Sequence, residues 1–247
     1  MRILAEHLIT TAAIENKAEQ STMIKEEEKL DNPVWHSLTE THKDVAIHYD
    51  KVKFYHPDYC PFGGILDIDK ILEGVNKYSE LTDNFYVVGN RPTSGNHLQL
   101  KKELVCNQML LDLPINIEIN EKIIELQTNQ HDDLFKLVNL VQPGYFRNKT
   151  ARLGHYYGIY KNEELIAVTG ERMKMNLYTE VSAVVTHPQH TGNGYAKQLI
   201  AYATKNIFDE NRVPYLHVAD TNMGAIKLYE KLGFKTRRKI SFWNLIR

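Results

Sequence analysis

A strand-like run that passes into a glycine turn and then a helix most constrains what this chain can fold into. Residues 184 to 199 read VVTHPQHTGNGYAKQL. The apolar start predicts a buried strand that ends at Pro188. From Tyr195, apolar residues recur at helical spacing, which predicts an amphipathic helix. Further strands and helices alternate along the chain on either side, and this alternation indicates an α/β layer structure.

The turn between the predicted strand and helix matches known phosphate-binding patterns only in part. A P-loop needs GxxxxGK followed by Ser or Thr, which this segment lacks. A dinucleotide fingerprint needs a third glycine, and Lys197 occupies that position. Two alternatives remain, a plain turn and a turn whose amides bind a pyrophosphate. The first amides of a helix lack internal partners, and the helix dipole favours an anion there.

Composition limits the classes of function. The 247 residues include 30 Lys plus Arg and 31 Asp plus Glu, and this balance favours neither nucleic acid nor an acidic membrane. Two cysteines exclude a disulfide framework, and no apolar stretch reaches the roughly 20 residues of a transmembrane helix. We therefore expect a cytoplasmic protein, a monomer or homodimer, with no nucleic-acid or membrane partner.

The pattern of predicted elements divides the chain into three stretches. Residues 1–30 are polar and predict a tail or a loose helix. Residues 31–118 mix helices and strands, and residues 119–247 alternate them more regularly. The segment FYHPDYCPFGG at 54–64 predicts an ordered loop, because its prolines and glycines interrupt regular structure. Its aromatic rings would either pack on the core or form a lid over a cofactor.

Local patterns place the elements inside these stretches. The segment after Asp31 predicts a helix with Ser37 or Thr39 near its start, and residues 66–81 predict an amphipathic helix. The other predicted helices are at 132–141, from Tyr195, and around Ala225 to Leu232; the other predicted strands are NFYVV, ELVCNQMLLDL, KIIELQ, YYGIY, ELIAVTGERMKM, EVSAVVT, VPYLHVA and the C-terminal FKTRRKISFWNLIR.

A second motif, Asn222 to Phe234, reads NMGAIKLYEKLGF and follows the glycine turn after an intervening strand. Together with TGNGYA in this order, it resembles the GNAT superfamily of acyl-CoA N-acyltransferases. The resemblance covers roughly residues 120–247 and is strongest at 180–234. It implies the α+β mixed sheet of a GNAT acetyltransferase fold at 119–247. Residues 31–118 resemble, much more weakly, the degenerate N-terminal half of two-domain members, so an additional N-terminal α/β half is expected.

The resemblance implies acetyl-CoA, or another short acyl-CoA, as co-substrate, and no metal. The implied cofactor-binding positions are the strand backbone of Val184, Val185 and Thr186 for pantetheine, and the turn amides of Thr191, Gly192, Asn193, Gly194, Tyr195 and Ala196 for pyrophosphate. Thr191 stands where the family usually has Arg or Gln, so one side-chain contact differs. Lys197 either replaces part of that charge or is a solvated surface residue. Asn222 is a helix N-cap, a cofactor contact, or both.

Acyl transfer to an amine needs a neutral amine, a stabilised oxyanion and a protonated thiol leaving group. Tyr229 lies where the family often places its general acid, although its apolar helix stripe also fits a core tyrosine. Glu180 is the implied base and Glu171 its rival, and either fits an edge-strand solubiliser as well. The two-residue strand period places Glu180 on the same face as Val184 and Thr186. Antiparallel pairing would bring the two carboxylates close enough to raise one pKa.

Other catalytic groups have no support in the sequence. His187, His190 and His217 form no metal-ligand spacing. Cys60 and Cys106 lie in the other half of the chain without a paired histidine signal, so direct transfer is expected without a covalent enzyme intermediate. The predicted function is N-acetylation of a primary amine on a small molecule or peptide. The alternative is an inactive acyl-CoA-binding sensor or scaffold.

Overall fold

The computed structural model describes residues 25–67, 71–93 and 97–247. Its strands are β1 Ala46–Tyr49, β2 Val52–Tyr55, β3 Phe62–Ile65, β4 Asn84–Val88, β5 Gln99–Leu110, β6 Ile123–Glu125, β7 Tyr156–Lys161, β8 Glu164–Lys174, β9 Tyr178–Thr186, β10 Val213–Ala219 and β11 Lys235–Ile246. Its helices are α1 Pro33–Ser37, α2 Leu72–Ser79, α3 His131–Val141, α4 Tyr195–Asp209 and α5 Met223–Lys231, joined by short 3₁₀ turns. The predicted mixed α/β class is confirmed. The first 24 residues of the predicted tail lie outside the described residues.

All eleven strands form one mixed sheet in the order β1-β2-β3-β4-β11-β5-β10-β9-β8-β7-β6. Only β3–β4 and β10–β9 pair in parallel; the other neighbours are antiparallel. The C-terminal β11 lies between β4 and β5, and β5 in turn lies between β11 and β10. Strands from 31–118 and 119–247 are therefore interleaved in one sheet, and the division into two domains stays a prediction.

An aromatic cluster fills the space where the two stretches meet. The rings of Phe62 and Phe242 meet edge to face with centroids 5.3 Å apart, and His217 meets Phe242 at 5.3 Å. Buried side chains from β8 and β10 join the same cluster, among them Met173 and Tyr215. Edge-to-face contacts of this kind stabilise a core beyond the area they bury. The cluster therefore fixes β3, β10 and β11 around one point of the sheet.

The predicted loop at 54–64 is wrong at both ends, because β2 runs to Tyr55 and β3 begins at Phe62. Gly63 does not interrupt β3; a Cβ there would lie 2.2 Å from a ring carbon of Phe54. Glycine thus permits a close packing contact inside a buried strand. The rings of Phe54, Tyr55 and Phe62 are buried, as the core-packing alternative predicted.

The start predicted for the first helix is also wrong. Helix α1 begins at Pro33, whose fixed φ suits the first helical position, and it ends at Ser37. The Ser37 hydroxyl instead lies 2.8 Å from the hydroxyl of Tyr55. Thr39 follows the helix in a turn. The helix predicted at 66–81 is confirmed in its central part as α2, and residues 68–70 lie outside the described chain.

Candidate active site

Strands β9 and β10 run side by side only at their first residues. Their parallel pairing ends where Glu180 meets Tyr215, although β9 continues to Thr186 and β10 to Ala219. Beyond that point a cleft of about 390 Å³ opens between the strands. Its walls are residues 180–184 of β9, the end of β10, the start of α5 and side chains from β3, β5, β8 and β11.

A β-bulge in β9 accompanies this divergence. Gly170 of β8 pairs with Ser182, but the next registered pair joins Val168 to Val185, so β9 holds one extra residue. Ala183 takes φ +50°, in the left-handed region. That conformation costs an L-residue roughly 1–2 kcal/mol. Because a bulge bends its strand and increases the local twist, it accounts for the departure of β9 from β10.

The bulge also changes which side chains share a face. Val181 and Val184 pack into one apolar cluster, whereas Ala183 and Val185 pack into another. The prediction that Glu180 and Val184 lie on one face is therefore wrong, because the extra residue reverses the alternation between them. Of the three strand positions predicted to bind pantetheine, only Val184 lines the cleft; Val185 and Thr186 do not.

The turn after β9 has the conformation that its glycines suggested. Gly192 has φ +84° and Gly194 has φ +75°. L side chains are strained in this region, whereas glycine adopts it readily. A Cβ at Gly192 would have no heavy atom within 4 Å, so the position is open as well as left-handed. A side chain at Gly192 would therefore project into free space beside the turn.

The turn leaves backbone donors unused at the start of α4. Gly194 is the N-cap of α4 and provides no side-chain cap. Throughout the described chain, no backbone carbonyl accepts from the amides of Gly192, Asn193 and Gly194. The side chains of Thr191 and Asn193 instead donate to the carbonyls of Pro188 and His190, at 3.2 and 3.1 Å. Unused amides at a helix N-terminus suit a phosphate group.

Lys197 adds a positive charge at this point. An ideal Cβ at Gly194 would lie 3.1 Å from its Cε atom, so the Lys197 side chain folds back over the turn. Tyr195 and Ala196, the first residues of α4, are half-buried. Lys197 is exposed and lies beside the turn, so both alternatives for it, a charge at the turn and a solvated surface residue, remain compatible with the structure.

Glu180 lies at the point where the cleft begins and is 1% exposed. Arg172 donates to it through two bonds, Nε to Oε2 at 2.8 Å and Nη2 to Oε1 at 2.7 Å. His217 Nδ1 lies 2.8 Å from Oε1, and the amide of Met173 lies 3.4 Å from Oε2. Burial raises the pKa of Glu180, but the Arg172 charge and these hydrogen bonds outweigh it and hold the pKa at about 2.

This hydrogen bonding limits what Glu180 can do. A carboxylate offers about four lone-pair positions, and Arg172, His217 and Met173 supply four donors. A group with a pKa far below neutrality is also a weak proton acceptor. The geometry therefore favours a carboxylate that fixes its neighbours, and a role for Glu180 as the base stays a prediction.

A chain of hydrogen bonds fixes His217 from its other side. Gln108 Nε2 donates to the Leu30 carbonyl at 2.8 Å and to His217 Nε2 at 3.1 Å. Arg237 donates to Gln108 Oε1 at 3.2 Å. Because Arg237 can only donate and a carbonyl can only accept, the Gln108 amide has a defined orientation. His217 Nε2 must then accept, so its ring proton lies on Nδ1 and is donated to Glu180.

Glu171 does not share this site. It is fully buried, accepts from Lys174 Nζ at 2.7 Å and from the amide of His155 at 3.2 Å, and does not line the cleft. The two carboxylates therefore have separate cationic partners, Lys174 for Glu171 and Arg172 for Glu180. The expectation that the two carboxylates share one site is wrong, and a catalytic role for Glu171 stays a prediction without support from its position.

Helix α5 and its N-cap bring two predicted residues to the cleft. Asn222 is the N-cap, accepting from the amide of Ala225 at 3.2 Å, and it also lines the cleft, so both alternatives for it remain compatible. Tyr229 lines the same cleft and meets the Phe234 ring at 5.8 Å. Burial raises its pKa to about 12. No residue in the described ranges hydrogen-bonds its hydroxyl, which leaves that proton available to a bound molecule.

Several contributors to the cleft were not predicted from the sequence, among them Arg172 and Tyr145. Arg172 lies between Glu171 and Met173 in the strand ELIAVTGERMKM, and a cation in a strand predicted to be buried was the signal that could have found it. Tyr145 comes from the segment after α3, and Phe62, one of the 54–64 aromatics, comes from β3. No local pattern connects them to β9, because their approach depends on the order of strands in the sheet.

Over 25–67, 71–93 and 97–247, no three His, Cys, Asp or Glu side chains are grouped so that they could hold a metal ion. Nor does any helix within those ranges have the length and apolar character to cross a membrane.

Comparison with known proteins finds one family model and many solved structures. The family model of FR47-like proteins matches residues 156–243, whereas no curated protein matches the sequence. A protein from Novosphingobium aromaticivorans that is assigned to the GNAT acetyltransferase family has a TM-score of 0.79 to this chain and is 28% identical to it. The match covers 88% of this chain and 98% of the Novosphingobium chain.

More distant structures agree in fold. A GCN5-related N-acetyltransferase from Kribbella flavida has a TM-score of 0.58 at 14% identity, covering 86% of this chain and 93% of its own. A GCN5-related N-acetyltransferase-like protein from Streptococcus suis has a TM-score of 0.55 at 13% identity, covering 90% and 99%. The splayed strands, the glycine turn and these comparisons together show that the chain has the fold of the GNAT superfamily of acyl-CoA N-acyltransferases.

Proposed function

We propose that the protein is an N-acetyltransferase that transfers an acetyl group from acetyl-CoA directly to a primary amine of a small molecule or peptide. One observation carries this proposal. Strand β9 forms a wall of the cleft and leads, through residues 187–194, into the uncapped N-terminus of α4. A cleft beside an anion-binding turn suits a long co-substrate with a phosphate at one end.

The residues present fit acetyl-CoA, which would supply the acetyl group as a thioester. The amides of Gly192, Asn193 and Gly194 have no acceptor in the described protein, and they would hold the pyrophosphate. Residues 181–184 of β9 have no strand partner on the β10 side, so their backbone faces the cleft and can pair with amides of pantetheine. Lys197 would add charge beside the phosphates.

Tyr229 would donate its proton to the sulfur as the C–S bond breaks, and the amine nitrogen that forms the new C–N bond would release its proton to water. The Tyr229 hydroxyl lies at the cleft, and its pKa of about 12 keeps it protonated at neutral pH. Tyr229 lines the cleft with a hydroxyl that has no protein partner among the described residues, which favours an enzyme over an inactive sensor. In this proposal Glu180 fixes Arg172 and His217, because its lone pairs are already occupied.

Release of free thiol tests the proposal directly. The purified protein is incubated with acetyl-CoA and a panel of amines that contains amino acids, peptides, polyamines and aminoglycosides. We expect amine-dependent thiol release, with an acetylated product found by mass spectrometry. Thermal stabilisation by acetyl-CoA without turnover of any amine class would instead identify a binding module.

A further inference from the structure

Arg172 has hydrogen-bond donors that Glu180 does not use. A guanidinium carries five N–H groups in a planar fork. Glu180 occupies Nε and one position on Nη2. Nη1 has no acceptor among the side chains and backbone groups described. The Arg172 side chain is 13% exposed and lines the cleft, so the free edge of the guanidinium faces that space.

The free edge is held in one orientation. The Arg172 Cζ lies 4.7 Å from the centroid of the Phe62 ring, a cation–π contact that covers one face of the guanidinium. Glu180 fixes the opposite edge, and Glu180 is itself fixed by His217 and, through it, by Gln108. Donors that are held in place before a ligand arrives bind at a smaller entropic cost.

The charged groups that line the cleft favour amines that carry an oxygen acceptor over amines that carry a second ammonium group. Arg172 and Glu180 neutralise each other, and no other Asp, Glu, Lys or Arg in the described ranges lines the cleft. The Glu180 lone pairs are occupied, so a second ammonium group would have no free anion to meet. An oxygen acceptor would meet the unused Arg172 donors. Phe62, Leu104 and Phe242 form an apolar, largely aromatic part of the wall, beside polar neutral residues such as Gln142, Ser182 and Asn222.

We propose that the free edge of Arg172 binds a carbonyl or carboxylate oxygen that the acceptor carries next to its amine, with an apolar body against the aromatic walls. The acceptor class is then amino acids, amino-acid amides and peptide N-termini, and not polyamines or aminoglycosides. The assignment of this molecule as an acetyl acceptor rests on the proposed function; its binding at Arg172 does not.

Three probe amines share the same aromatic skeleton and differ only in the oxygen-bearing group next to the amine, so comparing them measures the contribution of that group. Phenylalaninamide carries a carbonyl, phenylalanine a carboxylate and phenethylamine neither, and spermidine represents polyamines. We expect kcat/KM for the preferred oxygen-bearing probe to exceed that for phenethylamine by about tenfold or more, because an unused buried donor discriminates strongly. Whichever of phenylalaninamide and phenylalanine has the higher kcat/KM shows whether Arg172 prefers a carbonyl or a carboxylate oxygen. Phenethylamine or spermidine as the best substrate would overturn the inference.

Arg172→Lys keeps the positive charge opposite Glu180 but removes the fork. In this variant the preference of phenylalaninamide over phenethylamine should fall to about threefold or less, and an unchanged preference would contradict the role of Arg172. If the variant does not fold, calorimetric binding of the same two probes to the wild-type protein with CoA decides the question.

Binding and turnover separate the two proposals. Oxygen-dependent binding without thiol release from any amine would refute the acetyltransferase while leaving the Arg172 subsite standing. Turnover of phenethylamine at the rate of phenylalaninamide would leave the acetyltransferase standing and refute the subsite. Failure of the wild-type protein to bind either phenylalaninamide or phenylalanine would also refute the subsite.

Discussion

Arg172 and Glu180 form a two-bond ion pair that joins β8 to β9 immediately before the two cleft strands separate. The bonds measure 2.8 and 2.7 Å, and Glu180 is 1% exposed. Each partner is costly to bury alone, whereas the pair with its additional donors is balanced. The pair therefore fixes the geometry of the cleft more than it adds net stability, and removing one partner leaves the other as an uncompensated buried charge.

Glu180→Gln should lower the free energy of unfolding by about 3–5 kcal/mol, because Arg172 then loses its counter-ion inside the protein. Urea unfolding at neutral pH measures this change. Glu73→Gln is the matched control: Glu73 pairs with Lys77 on the surface, at 2.6 Å, and its loss should change stability little. If the two substitutions lowered the free energy of unfolding equally, the buried Arg172–Glu180 pair would contribute no more to stability than a surface pair.

Stability should also depend on pH through Glu180. Its pKa is lowered from the usual 4.5 to about 2, so the unfolded chain takes up this proton first as pH falls. The stabilising contribution is complete above pH 4.5 and is lost between that value and about pH 2. The unfolding free energy of the wild-type protein should fall over this window more steeply than that of Glu180→Gln. Parallel curves would assign the acid sensitivity to other carboxylates.

Gly192→Asp should weaken binding of acetyl-CoA by about tenfold or more, because it places a carboxylate in the open space beside the amides that would hold the pyrophosphate. Gly192→Asn is the control. Asn and Asp tolerate the φ of +84° similarly and differ mainly in charge. Calorimetry should give nearly wild-type affinity for Asn and a large loss for Asp. Equal affinities of the two variants for acetyl-CoA would show that the pyrophosphate does not bind at this turn.

The features predicted correctly from the sequence are local ones. The turn needed left-handed φ values, and only its two glycines supply them without strain, so Gly192 and Gly194 identify it directly. Helices α4 and α5 have the 3.6-residue repeat along one stripe. Each of these patterns lies within a short segment of sequence, and the structure contains the predicted turn and helices at those positions.

The features that were missed depend on distant parts of the chain. Ala183 has a positive φ at the bulge, but alanine gives no sign of this conformation, so the two-residue face prediction failed beyond Ser182. The pairing of Arg172 with Glu180 depends on a β8–β9 register that shifts twice. The pattern around Gly63 predicts a loop, because the contact of Gly63 with Phe54 arises only after folding.

The two cysteines should be inert in the folded protein. Burial raises the pKa of Cys60 and of Cys106 to about 12, so neither thiol forms appreciable thiolate at neutral pH. Mass spectrometry after iodoacetamide treatment at pH 7.5 should find both unmodified, and treatment in urea should label both. Rapid native labelling of Cys106, which lines the cleft, would show that the cleft admits water and reagent far more freely than the structure indicates.

Tyr229→Phe removes one hydroxyl from the cleft and keeps the ring that packs against Phe234. If Tyr229 protonates the leaving sulfur, kcat should fall by about 10²-fold, the low end of general-acid effects, while the affinity for acetyl-CoA changes little. Tyr202→Phe is the control, because its ring packs on Tyr157 and does not line the cleft. With a pKa of about 12, Tyr229 stays protonated to about pH 10, so its ionisation should cause no loss of rate below that pH. An unchanged kcat in Tyr229→Phe would show that Tyr229 only packs in the core and that water protonates the leaving sulfur.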